Sequence, residues 1–346
     1  TRIHAGREAA PIHHYGPERM KTALITGGAG FIGSHVADRF LAEGWAVHII
    51  DNLYNGKRQN VPEGATFHEL DIRDAAAADL IRTLAPDVLL HLAGQMDVRK
   101  SVAEPIFDAQ VNVLGSLNLF EAVRAHSPGT RVVFSSTGGV LYGDFTVPPN
   151  IETFSKNPES PYAISKLAVE HYLAYYGRVH GLEYAVLRYG NVYGPRQDPH
   201  GEAGVVAIFC GRILDGRAMT VFGDGLQTRD YVYVGDVVDA TYRGATRALP
   251  KTELLDTRAF NVGTGIATDV LRLANTLTEA AGVSVAVEHA PERPGEQRTS
   301  YLDVSKAARQ LDWRPAVSLE EGLARSFEWF QARKASRPKS PARERA

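Results

Sequence analysis

The stretch Lys21–Gly33, KTALITGGAGFIG, decides the fold of this chain of 346 residues. Its first half, Lys21–Thr26, is a short β-rich run, and helical spacing follows the glycines over Gly33–Glu43. Glycines between a strand and a helix let the backbone approach a pyrophosphate closely, and the helix N-terminus stabilises its charge. A nucleoside-triphosphate loop would need a lysine where this sequence has Ser34, so that class is disfavoured.

An acidic residue follows the second predicted strand. Ala46–Ile50 is strand-like and leads into Asp51, about 20 residues after the glycine turn. A carboxylate in this place receives the two hydroxyls of an adenosine ribose and repels a 2′-phosphate. The pattern therefore favours NAD over NADP, although the neighbouring Lys57 and Arg58 leave NADP open. A purely structural glycine turn is the less favoured alternative.

Strand-like and helical stretches alternate further along the chain. Val88–Leu92 and Arg131–Phe134 are apolar runs, and Asp108–Ala125 has helical spacing. Continuous apolar strands separated by amphipathic helices are typical of a parallel sheet covered on both faces. The sequence therefore predicts an α/β fold, with a Rossmann-like doubly wound parallel sheet and a smaller C-terminal α/β substrate lobe.

A tyrosine and a lysine four positions apart are the candidate catalytic pair. Ser160 suits a helix cap and Pro161 the first helical position, so Tyr162 and Lys166 fall on one helix face. A phenol with a pKa near 10 is a poor base, but a lysine ammonium and a cationic nicotinamide beside it favour the phenolate. Taken alone, the spacing occurs often enough by chance that a surface tyrosine and lysine is the first interpretation. The hydroxyl of Thr137, just after strand-like Arg131–Phe134, supplies a third group at the edge where such sheets bind ligands.

The order of glycine turn, Asp51, Thr137, Tyr162 and Lys166 resembles the extended short-chain dehydrogenase/reductase family. The resemblance covers roughly residues 21–331 and is sharpest toward the members that invert C4 of a UDP-hexose. The runs that carry it are His91–Gln95, Ser135–Gly143, Tyr189–Arg196, Phe222–Gly225, Gln227–Asp230 and Arg293–Glu296.

The resemblance implies a role for each matching residue. The catalytic residues are Thr137, Tyr162 and Lys166. Contacts to NAD are implied for Gly27, Gly30, Phe31, Ile32, Gly33, Asp51, Asn52, Asp71, Ile72, Leu92, Ala93, Gly94, Asn112, Ser135, Tyr162, Lys166, Tyr189 and Val192. Contacts to the UDP-sugar are implied for Ser101, Thr137, Tyr162, Asn191, Val205, Arg229, Arg293 and Ser300. The implied reaction proceeds through a 4-keto sugar and needs no metal ion.

Two arginines and one serine bear on the substrate. Arg229 and Arg293 can each present a bidentate guanidinium to a diphosphate, whereas the alternative is a surface ion pair with Asp230 or Glu292. In the resemblance, Ser300 faces the C2 substituent of the sugar and leaves room for an N-acetyl group. A register shift of one residue would place the aromatic Tyr301 there instead.

Other activities on the same scaffold remain as alternatives. A UDP-glucuronate 4-epimerase, a nucleotide-sugar 4,6-dehydratase or a decarboxylase would share most of these motifs. Elimination chemistry needs an acid beside the catalytic threonine, and here Gly138 and Gly139 follow Thr137. A non-catalytic module that senses NAD is the alternative from another class, and it is disfavoured because Tyr162 and Lys166 are both present.

Composition excludes several partners. With 38 Lys and Arg against 40 Asp and Glu, the chain lacks the basic excess that nucleic-acid binding requires. The single cysteine, Cys210, cannot form an internal disulfide, and it lies in an apolar run that predicts burial. No apolar stretch is long enough to span a bilayer. These features predict a cytoplasmic protein without membrane or nucleic-acid partners.

The chain divides by composition and periodicity. We expect an unstructured leader over residues 1–19, with Met20 as the natural start, and a basic tail over 336–346. Residues 20–188 form the predicted NAD-binding domain, to which 236–265 return, and the substrate lobe takes 189–235 and 266–335. Trp313, Phe327, Trp329 and Phe330 are expected in the core of that lobe. The family resemblance implies a homodimer, in which the helices at Asp108–Ala125 and Pro161–His180 form a four-helix bundle with a second copy.

Overall fold

The structure, a computed structural model, describes residues 19–200, 204–292 and 297–336. The predicted leader up to residue 18, the tail beyond Ser336 and the predicted phosphate ligand Arg293 lie outside the described residues. In the part of the chain that is described, no helix combines the length and the apolar character needed to cross a membrane.

Seven strands form one parallel sheet in the order β11-β6-β5-β4-β1-β2-β3. The strands, numbered along the chain, are β1 (Thr22–Thr26), β2 (Ala46–Ile50), β3 (Thr66–His68), β4 (Val88–His91), β5 (Arg131–Thr137), β6 (Tyr184–Tyr189), β7 (Asn191–Tyr193), β8 (Met219–Phe222), β9 (Thr228–Arg229), β10 (Tyr231–Tyr233), β11 (Ala259–Val262), β12 (Thr268–Asp269) and β13 (Val287–Ala290). The sequence prediction of a Rossmann-like parallel sheet is confirmed. Because the strands are parallel, the residues that follow β1, β4, β5 and β6 meet at one edge.

Helices cover both faces of the sheet. The helices of the described residues, including those away from the sheet, are α1 (Phe31–Ala42), α2 (Ala75–Leu84), α3 (Val98–Ala103), α4 (Pro105–Ala109), α5 (Gly115–His126), α6 (Pro161–His180), α7 (Val205–Leu214), α8 (Val234–Thr246), α9 (Val270–Ala281), α10 (Ser305–Gln310) and α11 (Leu319–Ala335). A 3₁₀ turn spans Arg58–Asn60, and a π-helical turn, Gln110–Leu114, joins α4 to α5. Helices α1 and α8 pack against one face of the sheet, and α2, α5 and α6 against the other.

One predicted helix differs from the observed one. The spacing predicted a single helix over Asp108–Ala125, but the helical segment begins at Pro105 and passes through the π-helical turn before α5. Proline suits the first helical turn because an amide hydrogen at that position would find no acceptor within the helix, so its absence costs nothing. A π turn shifts the side chains that follow it around the helix axis, and such turns are frequent at functional sites. Asn112, a predicted cofactor residue, lies within this turn.

A second core lies beyond the sheet, among α7, α9, α11 and the β8–β13 pair. It buries Cys210, Phe327 and Phe330, as the sequence predicts, and Trp329 packs against it. The expectation for Trp313 is wrong, because this side chain packs into the core on the α1–α8 face of the main sheet. Its indole nitrogen donates to the carbonyl of Asp236 at 2.9 Å. Burying an indole together with its polar atom requires such a partner, and α8 supplies it.

Candidate functional site

The glycine turn joins β1 to α1 at the carboxyl edge of the sheet. Gly27 has φ +71°, and a Cβ there would lie 2.7 Å from the amide nitrogen of Ala93, which follows β4. A Cβ on Gly33 would lie 2.1 Å from the carbonyl oxygen of Gly27. Both positions therefore exclude any side chain. The N-terminal turn of α1, including Phe31 and Ile32, is held directly over this edge.

Acidic groups line the adenosine end of the predicted cofactor site. The Asp51 carboxylate accepts hydrogen bonds from the amides of Ala29 at 3.0 Å and Leu53 at 2.8 Å, and burial raises its pKa. Asn52 donates to Asp71 at 2.8 Å. Hydrogen bonds from Arg73 hold the pKa of Asp71 at about 2, so this carboxylate is charged at neutral pH. Two acids here disfavour a 2′-phosphate.

The two basic residues that left NADP open are engaged elsewhere. Lys57 forms an ion pair with Asp198, in the loop that follows β7. The Arg58 guanidinium lies 4.0 Å from the ring centre of Phe67, on β3. Neither contact directs the cation toward Asp51. The structure thus strengthens the sequence preference for NAD.

The catalytic candidates meet where β5 ends and α6 begins. Thr137 is the last residue of β5 and pairs with Tyr189 of β6. Ser160 caps α6 by accepting from the amide of Ala163 at 3.3 Å, as the sequence predicted. Lys166, almost fully buried, donates to the carbonyl of Ser135 at 2.9 Å, and its ammonium lies 5.9 Å from the ring centre of Tyr162. These contacts place the Lys166 ammonium beside the Tyr162 ring at the sheet edge where β5 ends with Thr137.

Burial governs the protonation of this pair. The pKa of Tyr162 is raised to about 12 by burial and by the negative charge of Asp108. The pKa of Lys166 is lowered to about 8 by burial, against the opposing effects of Asp108 and Glu170. In the protein alone, desolvation therefore disfavours the Tyr162 phenolate. That Lys166 and a cationic nicotinamide together favour the phenolate stays a prediction.

The backbone at Gly94 forms a close cradle against Asn112 and Lys166. A Cβ on Gly94, in the segment Leu92–Gly94 after β4, would lie 2.8 Å from Asn112 Oδ1 and 3.4 Å from Lys166 Nζ. Asn112 itself accepts from the Gln95 amide and donates to the Gln95 carbonyl, both at 2.9 Å. The glycine turn, Asp51 and this cradle over Gly94 fit a dinucleotide that runs along the sheet edge.

Ser300 and Asn191 gather around the turn that follows Thr137. The Ser300 hydroxyl donates to the Gly139 carbonyl at 3.1 Å. A Cβ on Gly139 would lie 3.4 Å from Asn191 Oδ1. The hydroxyl of Tyr301 instead donates to the Pro148 carbonyl at 3.2 Å. The structure thus brings Ser300, and not the Tyr301 hydroxyl, to the Gly138–Gly139 turn that follows Thr137.

The remaining substrate candidates are more dispersed. Arg229 lies on β9, and its Nη1 donates to the Thr228 carbonyl at 2.8 Å, while Val205 is the first residue of α7. Ser101 is fully buried, and its hydroxyl donates to the Val98 carbonyl at 2.7 Å. Tyr189, by contrast, is a predicted NAD contact. Its hydroxyl shares a hydrogen bond with Thr241 of α8 at 2.8 Å, so its side chain extends away from the sheet edge.

Near β8 and β9 the structure shows one group that the motifs did not single out, Arg298. Arg298 forms two hydrogen bonds of 2.8 Å with the carboxylate of Asp224, beside Phe222, Gln227 and Glu292. Asp230 accepts hydrogen bonds from Thr264, Gly265 and Leu302, and so ties three separate segments together. Its carboxylate is thus built into the scaffold, which weakens the alternative in which it serves as a surface partner for Arg229.

A buried ion pair joins α6 to β6 near the catalytic candidates. Glu170 of α6 and Arg188 of β6 are both excluded from solvent and pair at 2.6 Å. Glu170 also accepts from the Ser136 hydroxyl at 2.6 Å, and Arg188 pairs with Asp256 at 2.6 Å. Nothing in the sequence singled out these residues, because the partners of Arg188 lie 18 and 68 positions away along the chain.

Comparisons with known proteins agree with this geometry. The family model described as GDP-mannose 4,6 dehydratase matches residues 24–326. UDP-glucose 4-epimerase of Mycolicibacterium smegmatis is 44% identical over 318 residues, which cover 90% of this chain and 99% of that protein. The crystal structure of UDP-glucose 4-epimerase from Thermotoga maritima with UDP-glucose superposes with a TM-score of 0.85 and 46% identity, covering 90% of this chain and 99% of that one. The UDP-glucose 4-epimerase of Thermus thermophilus in complex with NAD gives a TM-score of 0.82 and 44% identity, over 90% of this chain and 99% of that one.

A parallel sheet with a glycine turn, an acid after β2 and a Tyr-x-x-x-Lys helix defines a class of nucleotide-dependent enzymes that act on small alcohols. The chain belongs to the extended short-chain dehydrogenase/reductase family, as the resemblance in its motifs implied. The similar proteins reported above are all UDP-glucose 4-epimerases, and this chain covers nearly their full length.

Proposed function

We infer that this protein is an NAD-dependent isomerase that inverts C4 of a UDP-hexose and interconverts UDP-glucose and UDP-galactose. The observation that carries the inference is the cluster of Thr137, Tyr162 and Lys166 at the sheet edge, next to the glycine turn. Full-length similarity to UDP-glucose 4-epimerases, including structures with UDP-glucose and with NAD, supports the substrate and the cofactor.

Three side chains perform the proton chemistry in this proposal. Bound NAD supplies the acceptor and donor of the C4 hydride and is regenerated in each turnover. Tyr162 takes the proton of the 4-hydroxyl and returns it, so its oxygen must alternate between phenolate and phenol. Lys166 stabilises the phenolate and binds the nicotinamide ribose, and Thr137 orients the sugar hydroxyl. The glycine turn and Asp51 hold the pyrophosphate and the adenosine ribose.

Dehydration is the competing reaction, because the matching family model takes its description from a 4,6-dehydratase. Elimination needs an acid beside the catalytic threonine. A Cβ on Gly138 would lie 2.6 Å from Leu302 Cδ1 and 3.0 Å from the Arg188 carbonyl, so an acidic side chain does not fit there. The next residue, Gly139, also lacks a side chain. This geometry favours epimerisation over elimination.

Epimerase activity is tested with the purified protein and UDP-galactose as the only added sugar. We expect UDP-glucose to accumulate to equilibrium without any external reductant, and proton NMR of the anomeric signals follows both sugars. NAD released on denaturing the protein is measured in the same preparation. A preparation that holds NAD and yields neither epimer nor 4-keto-6-deoxy product would overturn the proposed reaction, whereas the deoxy product would establish dehydration.

We further propose that UDP-N-acetylglucosamine is a substrate, because Ser300 is small where a bulkier residue would fill the space beside the sugar. Ser300→Tyr is expected to abolish epimerisation of the N-acetylated sugar while UDP-glucose is still converted. Ser300→Ala is the matched control, since it keeps the space and loses only the hydrogen bond to Gly139. Initial rates on both sugars decide the question. A wild-type enzyme that rejects UDP-N-acetylglucosamine would refute the specificity and leave the epimerase proposal intact.

A homodimer is proposed from the surface of the helical layer opposite α1. Helices α3 and α4 and the π-helical turn pack against α6, and these elements together expose a band of apolar side chains to solvent. Its members include Val102, Ile106, Leu114, Ile164, Tyr175 and Val179. Apolar side chains exposed on neighbouring helices are typical of an interface, and pairing with a second copy gives a closed twofold dimer.

The dimer is tested by placing one charge in this band. Ile106, 75% exposed, is replaced by Asp, and Leu254, 73% exposed and outside the band, is replaced by Asp as the control. Sedimentation velocity should show a dimer for the wild type and for Leu254→Asp, and a monomer for Ile106→Asp. A monomeric wild type, or a dimer in all three proteins, would contradict the proposed interface.

The predicted domain limits and cytoplasmic location stay proposals that rest on the sequence.

A further inference from the structure

A buried carboxylate lies behind the catalytic helix. Asp108, on α4, is fully excluded from solvent. Its Oδ1 accepts from Gln95 Nε2 and Asn112 Nδ2, both at 3.0 Å, and its Oδ2 accepts from the Ser165 hydroxyl at 2.6 Å. All three donors are neutral groups. Three hydrogen bonds therefore fix the Asp108 carboxylate at the junction of α4, the π-helical turn and α6.

The charge of Asp108 acts on the catalytic pair. Ser165 precedes Lys166 on α6, and the Gly94 cradle brings Asn112 and the Lys166 ammonium to one small space. The negative charge raises the pKa of Lys166 against the effect of burial, and it raises the pKa of Tyr162 in addition to burial. Each effect follows from Coulomb attraction or repulsion at low local dielectric.

The other titratable groups near Lys166 are either engaged in an ion pair or uncharged at neutral pH. Glu170, on the same helix, raises the pKa of Lys166 but is paired with Arg188. His91, at the end of β4, has a pKa lowered to about 3 by burial, so it is uncharged at neutral pH. Asp108 affects the pKa of both Tyr162 and Lys166, and its carboxylate is held by neutral donors.

We propose that Asp108 is a positioning residue that sets the proton content of the catalytic pair, keeping Lys166 charged and Tyr162 protonated until the ligands arrive. The inference rests on the proposed catalytic roles of these two residues. It assigns to the carboxylate an electrostatic function in addition to joining three structural elements. Without its charge, both side chains should lose their protons at lower pH.

The test removes the charge and keeps the hydrogen bonds. In Asp108→Asn, the remaining oxygen can still accept from Gln95 and Asn112, and the new amide can donate to Ser165, whose hydroxyl accepts as well as donates. The control, Ser165→Ala, removes one hydrogen bond and keeps the charge. Protein labelled with nitrogen-15 at lysine Nζ reports the titration of Lys166, whose signal is assigned by its loss in Lys166→Met.

In Asp108→Asn, the titration midpoint of Lys166 is expected to fall by about one pH unit, and in Ser165→Ala to stay in place. Both limbs of the kcat–pH profile should move to lower pH with it, because Tyr162 must be deprotonated and Lys166 protonated for turnover. A kcat lowered equally at all pH values, with an unchanged midpoint, would reduce Asp108 to a structural role and overturn the inference.

The nitrogen NMR measurement needs no turnover, so it separates this inference from the proposed function. If the wild type is inactive but the Lys166 midpoint still shifts in Asp108→Asn, the proposed function is overturned and the electrostatic role is supported. Asp108→Ser, which also removes the charge and leaves room for water, is the second variant. If neither variant folds while Ser165→Ala does, the carboxylate serves the stability of the fold and the inference is overturned.

Discussion

Tyr162→Phe is expected to lower epimerase turnover by ~100- to 10,000-fold, the range for losing a general base. The change removes one oxygen and leaves the ring beside Lys166, so the contacts of α6 should persist. The bound NAD, measured after denaturation, should stay close to the wild-type amount. Steady-state rates with UDP-galactose give the effect on kcat.

The matched control for this experiment is Tyr301→Phe. It removes a phenol hydroxyl from the residue next to Ser300, one that donates to the Pro148 carbonyl. Its turnover should remain within a few-fold of the wild type, on the order of the effect of one neutral hydrogen bond. Near-normal turnover in Tyr162→Phe, or an equal loss in both variants, would mean that another group takes the proton.

Arg188→Met is expected to destabilise the protein by about 3–5 kcal/mol, the range for breaking a buried ion pair. Methionine leaves the Glu170 carboxylate in the core without its partner, and Asp256 loses the same guanidinium. Urea denaturation followed by circular dichroism measures the free energy of unfolding. The double variant Arg188→Met with Glu170→Leu should recover part of the loss, because it removes the unpaired charge.

Arg124→Met is the control on the surface. Arg124 pairs with Glu121 in much the same way, at 2.7 Å, but both side chains are exposed to solvent. Its loss should cost less than about 1 kcal/mol. Equal destabilisation by the two arginine variants would show that burial does not determine the strength of the Glu170 pair.

The local elements were predictable because their signals are local. The bounds of β2 follow the strand-like run Ala46–Ile50, and the Ser160–Pro161 start of α6 was visible from capping preferences alone. The continuous apolar run in β4 predicted a strand buried on both faces. Sequence patterns of this kind record contacts within one turn or between adjacent strands, so the fold class could be derived from them.

The sequence by itself determined the Rossmann-like fold, the glycine turn, the acid after β2 and the spacing of Tyr162 and Lys166. Only the tertiary structure decided which charges are buried together, since Asp108 meets Ser165 across 57 positions and Arg188 meets Asp256 across 68. It also decided that Ser300 lies at the Gly138–Gly139 turn after Thr137 and that burial and Asp108 raise the pKa of Tyr162. The reason is physical: burial and charge pairing depend on segments that are distant along the chain, and no periodicity within a segment records its eventual neighbours.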